Sequence, residues 1–345
     1  MINVVTAKQD WYSILQEINN YDFYHTYDYH QLSKKEEEEP LLLVYREKNV
    51  LIALPLLIRT IANSAYCDAT SVYGYGGPLV SGVSEDYDFS KFHMALNTYF
   101  DEKKIISVFS RLHPYFPMQE KVITNLGSIE DLGRVVNIDL TKTLEEQVQH
   151  YSNTTKRYLK KGLKNISIVV SNKKEDIDTF IALYNENMER VNAKKHYFFN
   201  DEYFLQFANS TEFTTEFTFA VLNETQKIIS AAMIIKTNSK FVQYHLSGTL
   251  TDYLHLTPIR LLIDAARISG TNEGYTYFNL GGGLGSNNDS LYSFKSSFSD
   301  DFKQFKIWKY IVNHEKYNEL VAQNPSLQEK ETDTISFFPL YRFDV

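Results

Sequence analysis

Two apolar runs, Leu41–Tyr45 and Leu51–Ile58, flank the polar tetrapeptide Arg46-Glu47-Lys48-Asn49. Short buried runs joined by a polar turn predict an antiparallel hairpin. The aromatic, glycine-bearing stretch Ser71–Val80 predicts a strand that ends irregularly at Gly76-Gly77-Pro78. Phe92, Leu96, Tyr99 and Phe100 recur at helical spacing within Lys91–Lys104, and Ile105–Leu112 follows as a further strand. The second half repeats this order. Phe217–Leu222 and Ile228–Thr237 form a hairpin around Asn223–Lys227, then come the strand Phe241–Gly248, the helix Pro258–Ser269 and the strand Tyr275–Leu280. The repetition is of elements rather than of residues and predicts a duplicated α/β unit with a mixed sheet. A boundary is expected near Asp139–Leu144, after a strand Val135–Leu140, giving domains 1–140 and 141–345. Asn165–Val170 adds a strand to the second half. Asp176–Val191 is a long helix with Ile177, Phe180, Ile181, Tyr184 and Met188 on one stripe, and a shorter one begins at Asp201–Ala208. The acidic run Glu36–Glu39 reads as a solvated loop before Pro40.

A chain of 345 residues accommodates two domains of ordinary size. Its net charge of −8 disfavours a dedicated nucleic-acid binder, because phosphate contacts need a basic footprint. The single cysteine, Cys67, leaves no disulfide framework or thiolate metal cluster and fits a reducing compartment. The nine histidines form no closely spaced ligand set, so no metal site is expected. The segment Met1–Trp11 lacks the pattern of a signal peptide, and the longest apolar run, Leu51–Ile58, is too short to span a membrane. These features predict a cytoplasmic protein, with attachment to the inner face of a membrane left open. The 25 tyrosines and 23 phenylalanines are mostly core, although such wealth also suits clefts for large amphipathic ligands.

Thr257-Pro258 reads as the start of a helix after the strand ending at Gly248, with Thr as N-cap and Pro at the first helical position. A helix start facing a strand end can receive an anion. This arrangement resembles the central element of the GNAT acyltransferase fold, where that loop grips the pyrophosphate of acyl-CoA. The basic-or-Gln/Gly/Gly-or-Ala sequence of that grip is absent here. The plainer alternative is an ordinary capped helix.

The most specific stretch runs Phe278-Asn-Leu-Gly281-Gly-Gly-Leu-Gly-Ser-Asn-Asn-Asp289-Ser-Leu-Tyr-Ser-Phe294-Lys295-Ser-Ser-Phe298. Four glycines permit positive φ and close backbone approach to a ligand. No Gly-Lys-Ser/Thr ending follows, which excludes a phosphate loop of the nucleoside-triphosphatase kind. An ammonium at Lys295, beside rings near a strand end, is placed to stabilise an oxyanion in acyl transfer. From the pattern alone, a surface lysine whose stem covers Phe298 reads equally well.

Together with Tyr73-Gly-Tyr-Gly-Gly-Pro-Leu79 and Tyr244-His-Leu-Ser-Gly-Thr249, this stretch resembles the FemABX-like branch of the GNAT superfamily, the peptidoglycan-bridge aminoacyltransferases and their relatives in envelope-polysaccharide clusters. The likeness covers nearly the whole chain, in order. It implies an α/β fold of two tandem GNAT-like domains with mixed, mainly antiparallel sheets flanked by helices. It further implies an enzyme that moves an acyl or aminoacyl group onto an amine of a nucleotide- or lipid-linked sugar or peptide. No cofactor would be tightly bound; acyl-CoA or aminoacyl-tRNA would be the co-substrate. By motif, Lys295 would stabilise the tetrahedral intermediate and leaving group, with Phe294 positioning it. Gly282, Gly283 and Asp289 belong to the same motif, and Thr257 opens the neighbouring helix. Tyr244 resembles an acceptor-site position, and Tyr75, Gly76 and Gly77 resemble a first-domain segment that approaches the acceptor. Nothing between Asp139 and Val191 is long enough for the helical-hairpin arm that the bridge-forming enzymes often carry. That departure leans toward a thioester donor, and the missing pyrophosphate sequence leans the other way. Lys34 and Lys35 match a first-domain phosphate-binding position only roughly.

Arg157, Lys160, Lys161 and Lys164 share one face at helical spacing and could hold a phosphate of the acceptor or a tRNA backbone, or be a solvated basic face. Arg190 and Lys194–Phe198 resemble a loop lining the family's cleft, which brings Lys195 and Tyr197 in as binding candidates. His196 there is a possible base or, more plainly, a partly buried structural histidine. A catalytically inactive saccharide- or partner-binding module of the same fold is the alternative to an enzyme.

Overall fold

A computed structural model describes residues 1–238, 240–328 and 335–344. The chain forms two compact units, Met1–Leu132 with Gln304–Val345, and Gly133–Lys303.

Along the first unit run β1 (Ile2–Val5), α1 (Lys8–Ile18), α2 (Tyr27–Ser33), β2 (Glu38–Glu47), β3 (Val50–Thr60), β4 (Cys67–Thr70), β5 (Leu79–Ser81), α3 (Ser90–Glu102), β6 (Ile105–Arg111) and α4 (Met118–Ile123). β7 (Ser128–Asp139) carries the chain into the second unit. There follow α5 (Leu144–Gln149), α6 (Asn153–Gly162), β8 (Ile166–Val170), α7 (Lys174–Arg190), α8 (Asp201–Asn209), β9 (Thr214–Leu222), β10 (Ile228–Thr237), β11 (Phe241–Thr249), α9 (Ile259–Asn272), β12 (Tyr277–Gly281) and α10 (Ser290–Ser296). β13 (Asp301–Ile311) returns to the first unit, and α11 (His314–Gln323) completes the helices used below.

The hairpin expected at Arg46–Asn49 is β2–β3, with Leu41 paired to Leu56 and Tyr45 to Ile52. Leu41, Leu43 and Tyr45 alternate into a core with Ile52, Leu54 and Leu56, as period-two burial requires, and α3 covers them with Phe92, Leu96, Tyr99 and Phe100. Pro55 is tolerated inside β3 for a local reason. On the edge of β3 away from β2, β5 pairs with Leu51–Ala53 and β4 with Leu57–Thr60, so the missing N–H falls in the gap between them.

Both units use the same wiring. In the first, β2, β3 and β4 are antiparallel neighbours, and β6 joins β4 in parallel. In the second, β8, β9, β10 and β11 are antiparallel neighbours, and β12 joins β11 in parallel after the crossover through α9. Each parallel pair needs a crossover helix, which α3 and α9 supply. The sixth strand of each sheet is exchanged. β7 follows the first repeat yet pairs antiparallel with β12, and β13 follows the second yet pairs antiparallel with β6.

This exchange changes the domain expectation. The tail from Gln304 on belongs with the first unit rather than with residues 141–303, because Ile307–Ile311 are laddered to Ser107–Arg111. Buried Asp68 on β4 then accepts hydrogen bonds from the Tyr341 hydroxyl at 2.7 Å and from Arg342 Nε, and pairs with Arg59 Nε at 2.7 Å. Two shorter expectations also change. Ser71–Pro78 is a loop between β4 and β5 rather than a strand, and Glu38 is buried at the start of β2, its carboxylate accepting the Lys35 N–H at 3.0 Å.

In the second unit, α9 seats Leu261, Leu262, Ile263 and Ala266 in a core with Ala220, Ala232, Ile234, Val242 and Phe278. Aromatic packing joins α7, α8 and β9, with Phe180 against Phe217 at 4.9 Å and against Phe204 at 5.6 Å.

Candidate functional site

The second unit opens its own sheet. Parallel β11 and β12 pair only from Phe241 with Tyr277 to Gln243 with Asn279. Beyond that register β11 keeps its ladder to β10 but has none to β12. A bulge in β11, where Met233 pairs with Leu246 and Ile234 with Tyr244, leaves His245 as the extra residue and re-aims its neighbours. Tyr244 therefore stands on one side of the opening and Gly281 on the other.

The glycine turn closes the β12 side. The Gly281 N–H donates to Asn279 Oδ1 at 2.8 Å, and Gly281 takes φ +75°. A Cβ on Gly282 would lie 2.8 Å from the Arg134 carbonyl oxygen, and one on Gly283 2.1 Å from that of Asn287 and 2.5 Å from Asp289 Oδ1. These glycines are needed because Gly282 lies against the backbone of β7 and Gly283 against the turn's own backbone. Asp289 then starts α10: one carboxylate oxygen accepts the Tyr292 N–H at 2.8 Å and the other the Leu284 N–H at 2.9 Å. Those backbone donors hold its carboxyl below the usual range.

α10 points Lys295 into this turn. Its Nζ donates to the Gly282 carbonyl at 2.8 Å and lies 5.9 Å from the centre of the Tyr244 ring. The side chain is buried, at 8 % exposure, which decides between the two sequence readings: it is not a surface lysine. Among the described residues no carboxylate pairs with it. Burial pushes its pKa down to about 8, with the Asp289 charge opposing the fall. Burial likewise pushes the Tyr244 hydroxyl up to about 12, and its partner is the Ser247 hydroxyl. His245, hydrogen-bonded to the Tyr203 hydroxyl at 3.1 Å, is driven down to about 4 by burial and is neutral at pH 7.

The Phe294 ring lies against Arg260, whose guanidinium is 4.7 Å from its centre and 5.7 Å from that of Tyr158. Arg260 also donates to Ser297 Oγ at 2.7 Å. Sequence reasoning passed over Arg260, although one signal was present: a cation in a helix's first turn opposes the macrodipole and needs another reason to be there. Buried side-chain atoms with no partner among the described residues recur around this group: Thr257 Oγ1, Arg260 Nε, Asn279 Nδ2 and Ser296 Oγ. Buried polar atoms are normally satisfied, so each of these four is a group that a water or a ligand would satisfy.

The α9 start differs from the expectation. Thr257 is not its N-cap; it takes the left-handed conformation, φ +50°, closing the 3-10 turn Thr251–Leu256, and Pro258 precedes the first helical residue Ile259. Pro258 has no N–H, and the Arg260 and Leu261 N–H groups already donate to the carbonyls of Thr257 and Pro258. Few donors remain there for an anion.

Of the other candidates in this unit, Arg157 is exposed on α6 with its guanidinium 5.4 Å from the Tyr158 ring centre. Lys195 and Tyr197 form a separate turn after α7, fixed by the Tyr184 hydroxyl donating to the Tyr197 carbonyl at 2.7 Å. His196 is exposed there rather than partly buried.

In the first unit, Tyr75, Gly76 and Gly77 lie in the loop between β4 and β5. The Gly76 carbonyl accepts from Gln119 Nε2 at 2.9 Å, with His25 Nε2 at 3.3 Å. Gly77 has φ +89°, and a Cβ on it would lie 2.6 Å from Gln119 Oε1. The Tyr75 ring meets Tyr24 and Phe305 edge-on, and burial raises its hydroxyl pKa. Behind the loop, Asp22 Oδ2 and His113 Nε2 are 3.0 Å apart and fully buried, and desolvation holds His25 well below its ordinary value. The loop is thus gripped from inside the protein, while Tyr73 stays 63 % exposed.

No group of residues that could hold a metal occurs among the described residues, and none of their helices is long and apolar enough to cross a membrane.

No protein-family model and no curated protein matches the chain. Solved structures do match it. FemX superposes with a TM-score of 0.70 at 12% identity, covering 92% of this chain and 99% of FemX. L-PGS from Bacillus licheniformis gives 0.59 at 14% identity over 90% of this chain and 93% of its own. The C-terminal domain of a putative lysylphosphatidylglycerol synthetase from Agrobacterium fabrum gives 0.56 at 12% identity over 90% and 94%. The chain thus shares its fold with FemX and with these two structures.

Proposed function

We propose that the protein transfers an acyl or aminoacyl group to an amine of a cell-envelope precursor, an amino sugar or a peptide, with Lys295 as the oxyanion-stabilising group. One observation carries this reading: a buried ammonium with no carboxylate partner among the described residues stands where β11 and β12 part. Uncompensated buried cations are costly, and perturbed groups of this kind concentrate at reaction centres. The fold shared with FemX and with a lysylphosphatidylglycerol synthetase, whose name describes an aminoacylated lipid, supports transfer chemistry.

In the reaction, the acceptor nitrogen attacks the donor carbonyl carbon, a C–N bond forms and the carbonyl electron pair moves onto oxygen. Collapse of that oxyanion breaks the bond to the donor's sulfur or ribose oxygen. The nitrogen gives up a proton and the leaving group takes one. At a pKa of about 8, Lys295 is mostly an ammonium at pH 7, so it can donate a hydrogen bond to the developing oxyanion and a proton to the leaving group. Phe294 packs its ring against Arg260, a contact that helps hold α10, the helix that carries Lys295. The donor is acyl-CoA or aminoacyl-tRNA; the occupied N–H groups at the start of α9 give little support to a pyrophosphate grip there. Tyr244 and the Tyr75–Gly77 loop are assigned to the acceptor, Arg157 to one of its phosphates, and Lys195 with Tyr197 to the cleft wall, each by the family resemblance.

Purified protein is offered each donor class with amino-sugar and peptide amines, and product is followed by mass. Lys295→Ala should lower turnover by roughly 10²–10³, the usual cost of one oxyanion donor. Unchanged turnover would remove Lys295 from the mechanism.

A further inference from the structure

From Gln147 to Lys174 the chain carries seven lysines and arginines and not one aspartate or glutamate, against a net charge of −8 overall. Five of these cations fall on or just after α6. Thr155, Leu159 and Gly162 form its buried side, and a Cβ on Gly162 would come within 2.7 Å of Leu261, so α6 is pressed against α9 along that line. The cations therefore look outward: Arg157, Lys160, Lys161 and Lys164 are exposed, and none enters an ion pair among the described residues. Amid them Leu163 is 60 % exposed, an aliphatic side chain where a solvated helix end would carry a polar one. Beside Lys161 a cavity of about 280 Å³ opens, bounded by Tyr158, Asn165, Leu222, Glu224 and His255. That volume approaches the lower end of small-molecule sites.

We propose that this face of α6, with Leu163 and the adjoining cavity, docks on an anionic phospholipid surface. Lysines supply the attraction to phosphate headgroups, Leu163 enters the headgroup boundary, and the cavity receives one headgroup. Single-stranded RNA is the weaker fit: Tyr158 is the one aromatic residue of α6, it already has the Arg157 and Arg260 guanidinium groups 5.4 and 5.7 Å from its ring centre, and a single ring makes no platform for successive bases. The inference does not depend on the transfer reading, because binding is measured without donor or acceptor.

The full chain is sedimented with vesicles of phosphatidylcholine alone and of phosphatidylcholine with phosphatidylglycerol. Binding should require phosphatidylglycerol and weaken with salt. The triple variant Lys160→Ala, Lys161→Ala, Lys164→Ala should partition about a hundredfold less, from roughly 1 kcal/mol per cation. Its melting temperature should be unchanged, since the removed groups are exposed. Lys103→Ala with Lys104→Ala, exposed cations of the first unit, should leave binding intact. Equal binding to both vesicles, no binding to either, equal loss in the first-unit variant, or binding to a transfer RNA but not to vesicles each overturns the proposal.

Discussion

Replacing Lys295 by methionine should separate stability from turnover, and the separation should depend on pH. In the folded chain the amine's pKa lies near 8 instead of 10.5, because burial disfavours the ammonium. The folded state therefore binds this proton less tightly than the unfolded state. Below pH 8 the wild type bears the full cost of the buried charge; the cost fades as pH rises from 8 to 10.5 and is gone above it. The gap between 10.5 and about 8, at 1.36 kcal/mol per pH unit, comes to about 3 kcal/mol. Methionine fills a similar volume without a charge, but leaves the Gly282 carbonyl unpaired at about 1–3 kcal/mol. At pH 7 the variant should thus be as stable as the wild type or slightly more so, and by pH 10.5 distinctly less. Thermal melts of both proteins across that range give the test. The difference in Tm should swing by roughly 6–12 °C, at about 2–4 °C per kcal/mol for a unit of this size. A difference that stays constant from pH 7 to 10.5 would refute the claim that Lys295 is a buried, desolvated cation.

Gly283→Ala should cut turnover as severely as loss of Lys295, since its methyl would displace the Asp289 carboxylate that starts α10; wild-type activity would show that the turn is not needed in this form. Gly77→Ala should destabilise the first unit by about 1–3 kcal/mol, because φ +89° is strained for alanine and the Gln119 side chain occupies the space. Denaturant unfolding with an unchanged midpoint would contradict that packing.

Elements whose signals are local were legible in the sequence. The hairpins of β2–β3 and β9–β10, the stripes of α3 and α7, and the glycine turn before Lys295 all follow from spacing within a dozen residues. The reciprocal placement of β7 and β13 was not, because Ile307 pairs with Arg111 across a sequence separation that leaves no periodic trace. Thr257-Pro258 misled for a different reason. The dipeptide carries a strong helix-start signal, but the preceding 3-10 turn claims Thr257 and twists it left-handed. Arg260 was overlooked because its partners, Phe294 and Ser297, come from another helix. Burial of Lys295 could not be read from the pattern of Phe294, Lys295 and Phe298, since the same spacing fits a stem lying along an exposed ring.

The crossing-over of β7 and β13 bears on how such a chain can be dismantled. A cut between the two repeats does not release two self-sufficient modules: each fragment keeps a strand belonging to the other's sheet and lacks the one that completes its own. Every break would bare an unsatisfied edge, β6 in one piece and β12 in the other, and bared edges invite aggregation. The exchange thus makes each half depend on a strand that the other half's segment of chain supplies.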